Sequence, residues 1–189
     1  MSESAPVQEP SLLLLDACAV INLYACGHMS DILASTSTSC GIVTQVRREA
    51  LFVRRGGTGE DARDQVSIDL EDVVARHLLQ VVPDASEDEL NTFIDLTVDL
   101  GDGEAMTAAI ALHRGYTVVT DDRVARRVIN GRIPTMASLE LIKRWADERN
   151  VPRDVIATAL VNLRQRGSYL PARTHPLRPW WDDLFNRMP

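Results

Sequence analysis

Five acidic side chains stand where they could act together: Asp16, Glu49, Glu104 and the adjacent Asp121 and Asp122. Asp16 closes the apolar run "LLLLD", and Asp121 and Asp122 close "YTVVTDD", so these acids lie just past β-forming segments. In a parallel α/β domain that is where ligands bind, beyond the carboxyl ends of the strands. Carboxylates gathered there repel one another and lose hydration unless a cation joins them. Hard oxygen ligands select Mg²⁺ or Mn²⁺ over zinc, and His28, His77, His113 and His175 have no paired metal-ligand spacing. A metal ion so held lowers the pKa of bound water, polarises a phosphodiester and neutralises charge on its oxygens. The pattern leaves open one ion or two, and it needs no nucleophilic serine or cysteine.

Each acid also has a structural reading. Asp16 precedes a helix and can serve as its N-cap. Asp102 can cap the helix in "DGEAMTAAIALHR" or touch the metal, with Glu104 in the first turn. Ala105, Ala108 and Ala109 let that helix approach the sheet closely. Glu49, read on a helix carrying "QVRREALFVRR" with Val46 and Val53 on its own side, either points into a cleft or pairs with Arg48 or Arg126.

The elements that must position these residues form an α/β rhythm. A buried strand is expected over residues 11–15, a helix from Ala17 to Cys26, a shorter one near Ser30–Ala34, and a strand ending near Val43 with Thr44 capping the next helix. That helix should fray at Gly56 and Gly57, ahead of a mobile loop over residues 56–65. Residues 69–79 read as helix, "QVVP" as a short strand, and Ser86 with Glu89 as a capping box. The second half continues with a helix closed by Gly115, the strand "YTVVT", the helix "DRVARRVIN", the strand "RIPTM" and a helix over Leu139–Glu148. The expected fold is a three-layer α/β/α sandwich with a mainly parallel central sheet. A polar, flexible tail spans 1–10, the domain 11–149, and a C-terminal helical, Pro- and Trp-rich extension 150–189. Within that extension Pro152 enters the first turn of a helix, and "RPWWDDLF" reads as a packing clamp before a base-stacking platform.

With 189 residues and 45% hydrophobic content, the chain can bury a substantial core, which excludes a disordered polypeptide. The opening lacks a signal peptide's basic region, no stretch is long enough to span a membrane, and Cys18, Cys26 and Cys40 suggest no disulfide framework. A cytoplasmic setting is expected. The net charge of −7 opposes bulk attraction to nucleic acid, so phosphate contacts would fall to a local basic rim of Arg54, Arg55 and Arg123.

"LLLLDACAVINL", Glu49, "LGDGEAMTAAIALHRG" and "YTVVTDD", in this order, resemble the PIN-domain family of metal-dependent ribonucleases, which includes the toxins of bacterial toxin–antitoxin pairs. The resemblance covers about residues 11–146. It implies Asp16, Glu49, Glu104 and Asp122 as the catalytic, metal-holding acids, with Asp121 able to substitute. It implies a supporting hydroxyl at Thr120, with Cys18 standing where many relatives carry serine or threonine. The implied activity is an Mg²⁺- or Mn²⁺-dependent endoribonuclease acting on RNA, with a small antitoxin protein and a homodimeric assembly as further partners and no role at a membrane. The alternative is a catalytically weak PIN-like scaffold that binds RNA or a protein.

Overall fold

The computed structural model describes residues 12–49, 51–56 and 64–186. In chain order the strands are β1 (Leu13–Leu15), β2 (Cys40–Ile42), β3 (Phe52–Arg54), β4 (Gln65–Ser67), β5 (Gln80–Val81), β6 (Thr117–Val119) and β7 (Thr135–Met136). A five-stranded parallel sheet runs β5-β2-β1-β6-β7, while β3 and β4 pair antiparallel apart from it. Leu12, Leu13, Leu14 and Leu15 are all at most 3% exposed, as an unbroken apolar run requires when helices cover both faces of a strand. Gly41 on β2 leaves room for Leu12 and Val82, whose side chains would lie 3.1 Å from a methyl group placed there.

The helices are α1 (Ala17–Ala25), α2 (Met29–Ser35), α3 (Thr44–Arg48), α4 (Glu71–Ala75), α5 (Glu87–Leu96), α6 (Asp102–Arg114), α7 (Arg123–Ile129), α8 (Ser138–Glu148), α9 (Arg153–Arg166) and α10 (Arg178–Asn186). Helices α3 and α5 pack on α6, which lies against β1 and β6; α2, α8 and α9 pack on α1, and α10 on α9. The result is the expected α/β fold with a parallel sheet flanked by helices and a C-terminal helical segment. Among the described residues no single helix is long and apolar enough to cross a membrane.

Local chemistry explains several helix ends. Ser86 and Glu89 form the predicted capping box on α5, and Glu89 also receives Arg114 from the last turn of α6 at 2.7 Å. The Arg114 hydrogen bond pulls the Glu89 carboxyl down to about 2, which fastens the two helices together. Gly115 ends α6 at φ 67°, a left-handed conformation that a Cβ would strain. In the extension, Trp181 is buried, stacked 5.0 Å from Phe185 and edge-on to Tyr169 at 5.8 Å. The tryptophan motif therefore packs, as its proline and apolar setting implied.

Other expectations need correction. The helix expected to carry "QVRREALFVRR" ends at Arg48, and residues 52–54 are strand. Leu51 and Val53 turn inward while Phe52 and Arg54 face out, the two-residue period of a strand; Val53 therefore does not share a helical side with Glu49. Thr44 opens α3 without capping it, the N-cap being Val43. The helix expected over 69–79 stops after Ala75, because His77 adopts φ 56° and the N–H groups of Leu78 and Leu79 both return to the Val73 carbonyl. Pro152 is the residue before α9, outside its first turn. The tail expected at 1–10, and residues 57–63 of the expected loop, lie outside the described residues.

Candidate functional site

Parallel pairing of β1 with β6 sets Leu15 beside Val119, and the Asp16 N–H donates to the Val119 carbonyl at 3.1 Å. Asp16 and the segment Thr120–Asp122 therefore leave the sheet side by side. Asp16 is 1% exposed and caps α1, accepting the Ala19 N–H at 2.8 Å. Its carboxylate also accepts the Cys18 thiol at 3.0 and 3.2 Å. Burial raises Asp16 to about 6 against the opposing hydrogen bonds of Thr120, Cys18 and Ala19, and the charge of Asp121 adds to the rise. Burial, followed by the charge of Asp16, likewise raises Cys18, so the thiol keeps the proton it donates.

Asp121 is held from several elements. It accepts Asn22 Nδ2 of α1 at 2.9 Å and the Ser138 N–H of α8 at 3.3 Å. Tyr169, beyond α9, is raised by burial first and then by the charge and hydrogen bond of Asp121. The Asp121 N–H donates to Cys18 Sγ at 3.1 Å, so Cys18 bridges the two aspartates. Sequence reasoning missed Asn22, Ser138 and Tyr169. Asn22 carries a signal, being the lone amide in the apolar helix "ACAVINLYA"; Tyr169 has none, since only the packing of the extension brings it in.

The remaining acids form an outer set. Asp122 caps α7, accepting the N–H groups of Val124 at 2.7 Å and Ala125 at 2.8 Å. Its own N–H donates to Thr120 Oγ1 at 3.1 Å. Glu104 lies in the first turn of α6 and receives the Gly101 N–H at 3.3 Å. Gly101, and not Asp102, is the N-cap; Asp102 is an exposed first residue of the helix. Glu49 follows α3 in extended backbone, and its carboxylate occupies the space a Cβ on Gly103 would need. Burial and the charge of Asp122 raise Glu104, while burial, Glu104 and Asp102 raise Glu49.

The chain thus brings the acids to one edge but divides them. Asp16 responds to Asp121, and Glu49 to Glu104 and Asp102. Among the described residues, no group of three or more His, Cys, Asp or Glu side chains is arranged to hold a metal ion. This corrects the expectation of Mg²⁺ or Mn²⁺ on Asp16, Glu49, Glu104, Asp121 and Asp122, and with it the metal-dependent endoribonuclease that the ion was to serve. The physical reason is the donor supply: thiol, amide and backbone N–H groups occupy the carboxylates of Asp16, Glu104, Asp121 and Asp122 where a cation was expected.

Among the described residues the ion-paired arginines are Arg55, Arg76, Arg114, Arg153 and Arg178. Arg55 lies 3.9 Å from Asp64, so one member of the expected rim is partly neutralised. Arg54 on β3 and Arg123 at the head of α7 are exposed and carry no such pair among the described residues. Arg123 also lines a cavity of about 600 Å³ next to this edge.

Over residues 12–176 the chain matches the PIN-domain family DUF3368. It belongs to that family. No curated protein and no solved structure matches it significantly.

Proposed function

We propose that this PIN-domain protein is a binding module that engages RNA through Arg54 and Arg123, without cleavage through a bound metal. The observation that carries the reading is the engagement of Asp16, Asp121 and Asp122 by the chain's own donors, beside Arg123, which has no carboxylate partner among the described residues. Guanidinium groups suit phosphate oxygens geometrically and keep their charge at any working pH. A local patch of this kind is what a chain of net charge −7 needs to hold a polyanion.

The test is fluorescence anisotropy with labelled single-stranded RNA, in Mg²⁺ and again in excess chelator, with the RNA afterwards resolved on a gel. Equal affinity in both buffers and intact RNA are expected. Arg54→Gln and Arg123→Gln should each weaken binding several-fold and lower the salt dependence by about one phosphate contact. Absence of binding at low salt, or cutting that the chelator stops, would overturn the reading.

A protein-interaction surface is the second reading. It is favoured by Leu90, Ile94 and Val98, spaced by four along α5 and the turn after it and exposed by 44, 62 and 84%. Sedimentation of the purified chain against Ile94→Asp tests a second copy as the occupant; a monomer in both would exclude it.

A further inference from the structure

We propose that the cavity between α7 and the segment joining α9 to α10 binds a phosphomonoester, the terminal phosphate of a nucleotide or of an RNA end; the RNA-end form rests on the RNA-binding reading above. Arg123, Arg126, Arg173, Thr174, His175 and Glu140 line this space of about 600 Å³, a volume suited to a small ligand. None of the three arginines is among the ion pairs of the described residues. Three guanidinium groups outside any such ion pair, facing one concavity with the single carboxylate of Glu140, are a receptor for an oxyanion.

The balance of charge selects the kind of anion. Three arginines against one glutamate leave the lining with about two positive charges, which matches the roughly −1.5 to −2 of a phosphomonoester better than the single charge of a diester. Glu140 is engaged elsewhere, accepting the Ala137 N–H at 3.0 Å at the head of α8. His175 adds a donor. Its Nδ1 accepts the Leu177 N–H at 3.0 Å, so the neutral ring carries its proton on Nε2.

The lining is also fixed in place. The His175 N–H returns to the Ala172 carbonyl at 2.9 Å, closing the turn that presents Arg173 and Thr174. Arg178 at the head of α10 reaches back to the Pro171 carbonyl at 2.8 Å, and buried Trp181 anchors the same helix. Arg126 lies close enough to Tyr169 for its charge to lower that phenol's pKa, so the cavity adjoins the Asp121 cluster without using its carboxylates. A turn held by its own hydrogen bonds presents its side chains at less ordering cost than a mobile one.

Titration calorimetry on the full chain tests this, using adenosine 5′-monophosphate, inorganic phosphate, adenosine, and one short RNA bearing either a 5′-phosphate or a 5′-hydroxyl. The monophosphate should bind saturably and adenosine should not. Arg173→Gln and Arg126→Gln should each weaken the monophosphate about tenfold, the loss of one charge-assisted hydrogen bond. Arg173 is exposed on its turn, so that variant separates binding from folding. Monophosphate and phosphate heats equal to those of adenosine, or an unchanged Arg173→Gln, would overturn the proposal. If both RNAs bind equally and the monophosphate does not, the pocket falls while the RNA reading stands. Binding of the monophosphate with neither RNA bound gives the reverse. A phosphoserine peptide that binds as tightly as the monophosphate, with no RNA bound, would assign the pocket to a protein ligand and overturn the nucleotide assignment.

Discussion

At the ends of β1 and β6, Asp16 and Asp121 sit among Cys18, Thr120, Asn22, Ser138 and Tyr169, whereas at the rim Glu104 and Asp122 accept backbone N–H groups and Glu49 lies against Gly103. Both sets place like charges close together. The inner pair is stabilised by directed donors drawn from α1, α8 and the extension, which fixes its geometry. In the outer set Glu49 and Glu104 lean on solvent, and their carboxyls rise through burial and neighbouring charge. The difference shows how an edge that draws carboxylates from several elements can persist without a cation: by building donors into the interior and leaving the rest wet.

The inner half should break hardest. Asn22→Leu removes the amide that donates to Asp121 at 2.9 Å and to Ser138 Oγ at 3.2 Å, leaving a half-buried carboxylate short of a partner. A loss of about 2–3 kcal/mol is expected, lowering the melting temperature by roughly 5–10 °C for a chain of this size. Calorimetry showing an unchanged midpoint would mean that Asp121 is held by Ser138 and Tyr169 alone.

Asp16→Asn should act in the opposite direction and depend on pH. Because the folded Asp16 carboxyl is raised to about 6 from an ordinary 3.8, its contribution to stability is fully present below 3.8 and lost as pH rises through 6. Asparagine keeps the cap on Ala19 without the buried charge. The variant should match the wild type below pH 4 and exceed it by about 2–3 kcal/mol above pH 6. Denaturant midpoints across that range check it; a constant offset would show that burial does not set the Asp16 pKa.

The comparison also marks how far the sequence could be read. Where the cause is local the sequence shows it, as in the four leucines before Asp16, Ser86 with Glu89 and Gly115 after α6, while the caps expected of Thr44 and Asp102 fall one residue earlier, on Val43 and Gly101. The convergence of the acids on one edge was legible too, since parallel strands deliver their exits to the same side. Their division was not. It depends on Asn22, Ser138 and Tyr169, which lie far apart in the chain and meet only through packing on α1, and whether a carboxylate is satisfied by a cation or by such donors is decided by that packing. The hairpin of β3 and β4 was missed for another reason. Arg47, Arg48, Arg54 and Arg55 imitate a polar helical face, and the alternation of Leu51, Phe52 and Val53 is too short to outweigh them.

The outer half should give the smallest effects, in a form that distinguishes it from the inner one. Glu104→Gln removes the charge that raises Glu49 and relieves Glu104 of Asp122, and Glu49→Gln removes one side of the same repulsion. Glu49 is exposed and Glu104 half-buried, so solvent screens their repulsion and each variant should stabilise by about 0.5 kcal/mol or less, and only at low ionic strength. Folded carboxyls raised above their ordinary 4.5 contribute most below that pH and less as it rises, so the gain from either substitution should vanish in acid. Paired melts at low and high salt check this. The double variant is the sharper measurement: because the two substitutions remove one shared repulsion, its gain should fall short of the two single gains combined, whereas simple addition would mean that Glu49 and Glu104 respond to solvent and not to each other.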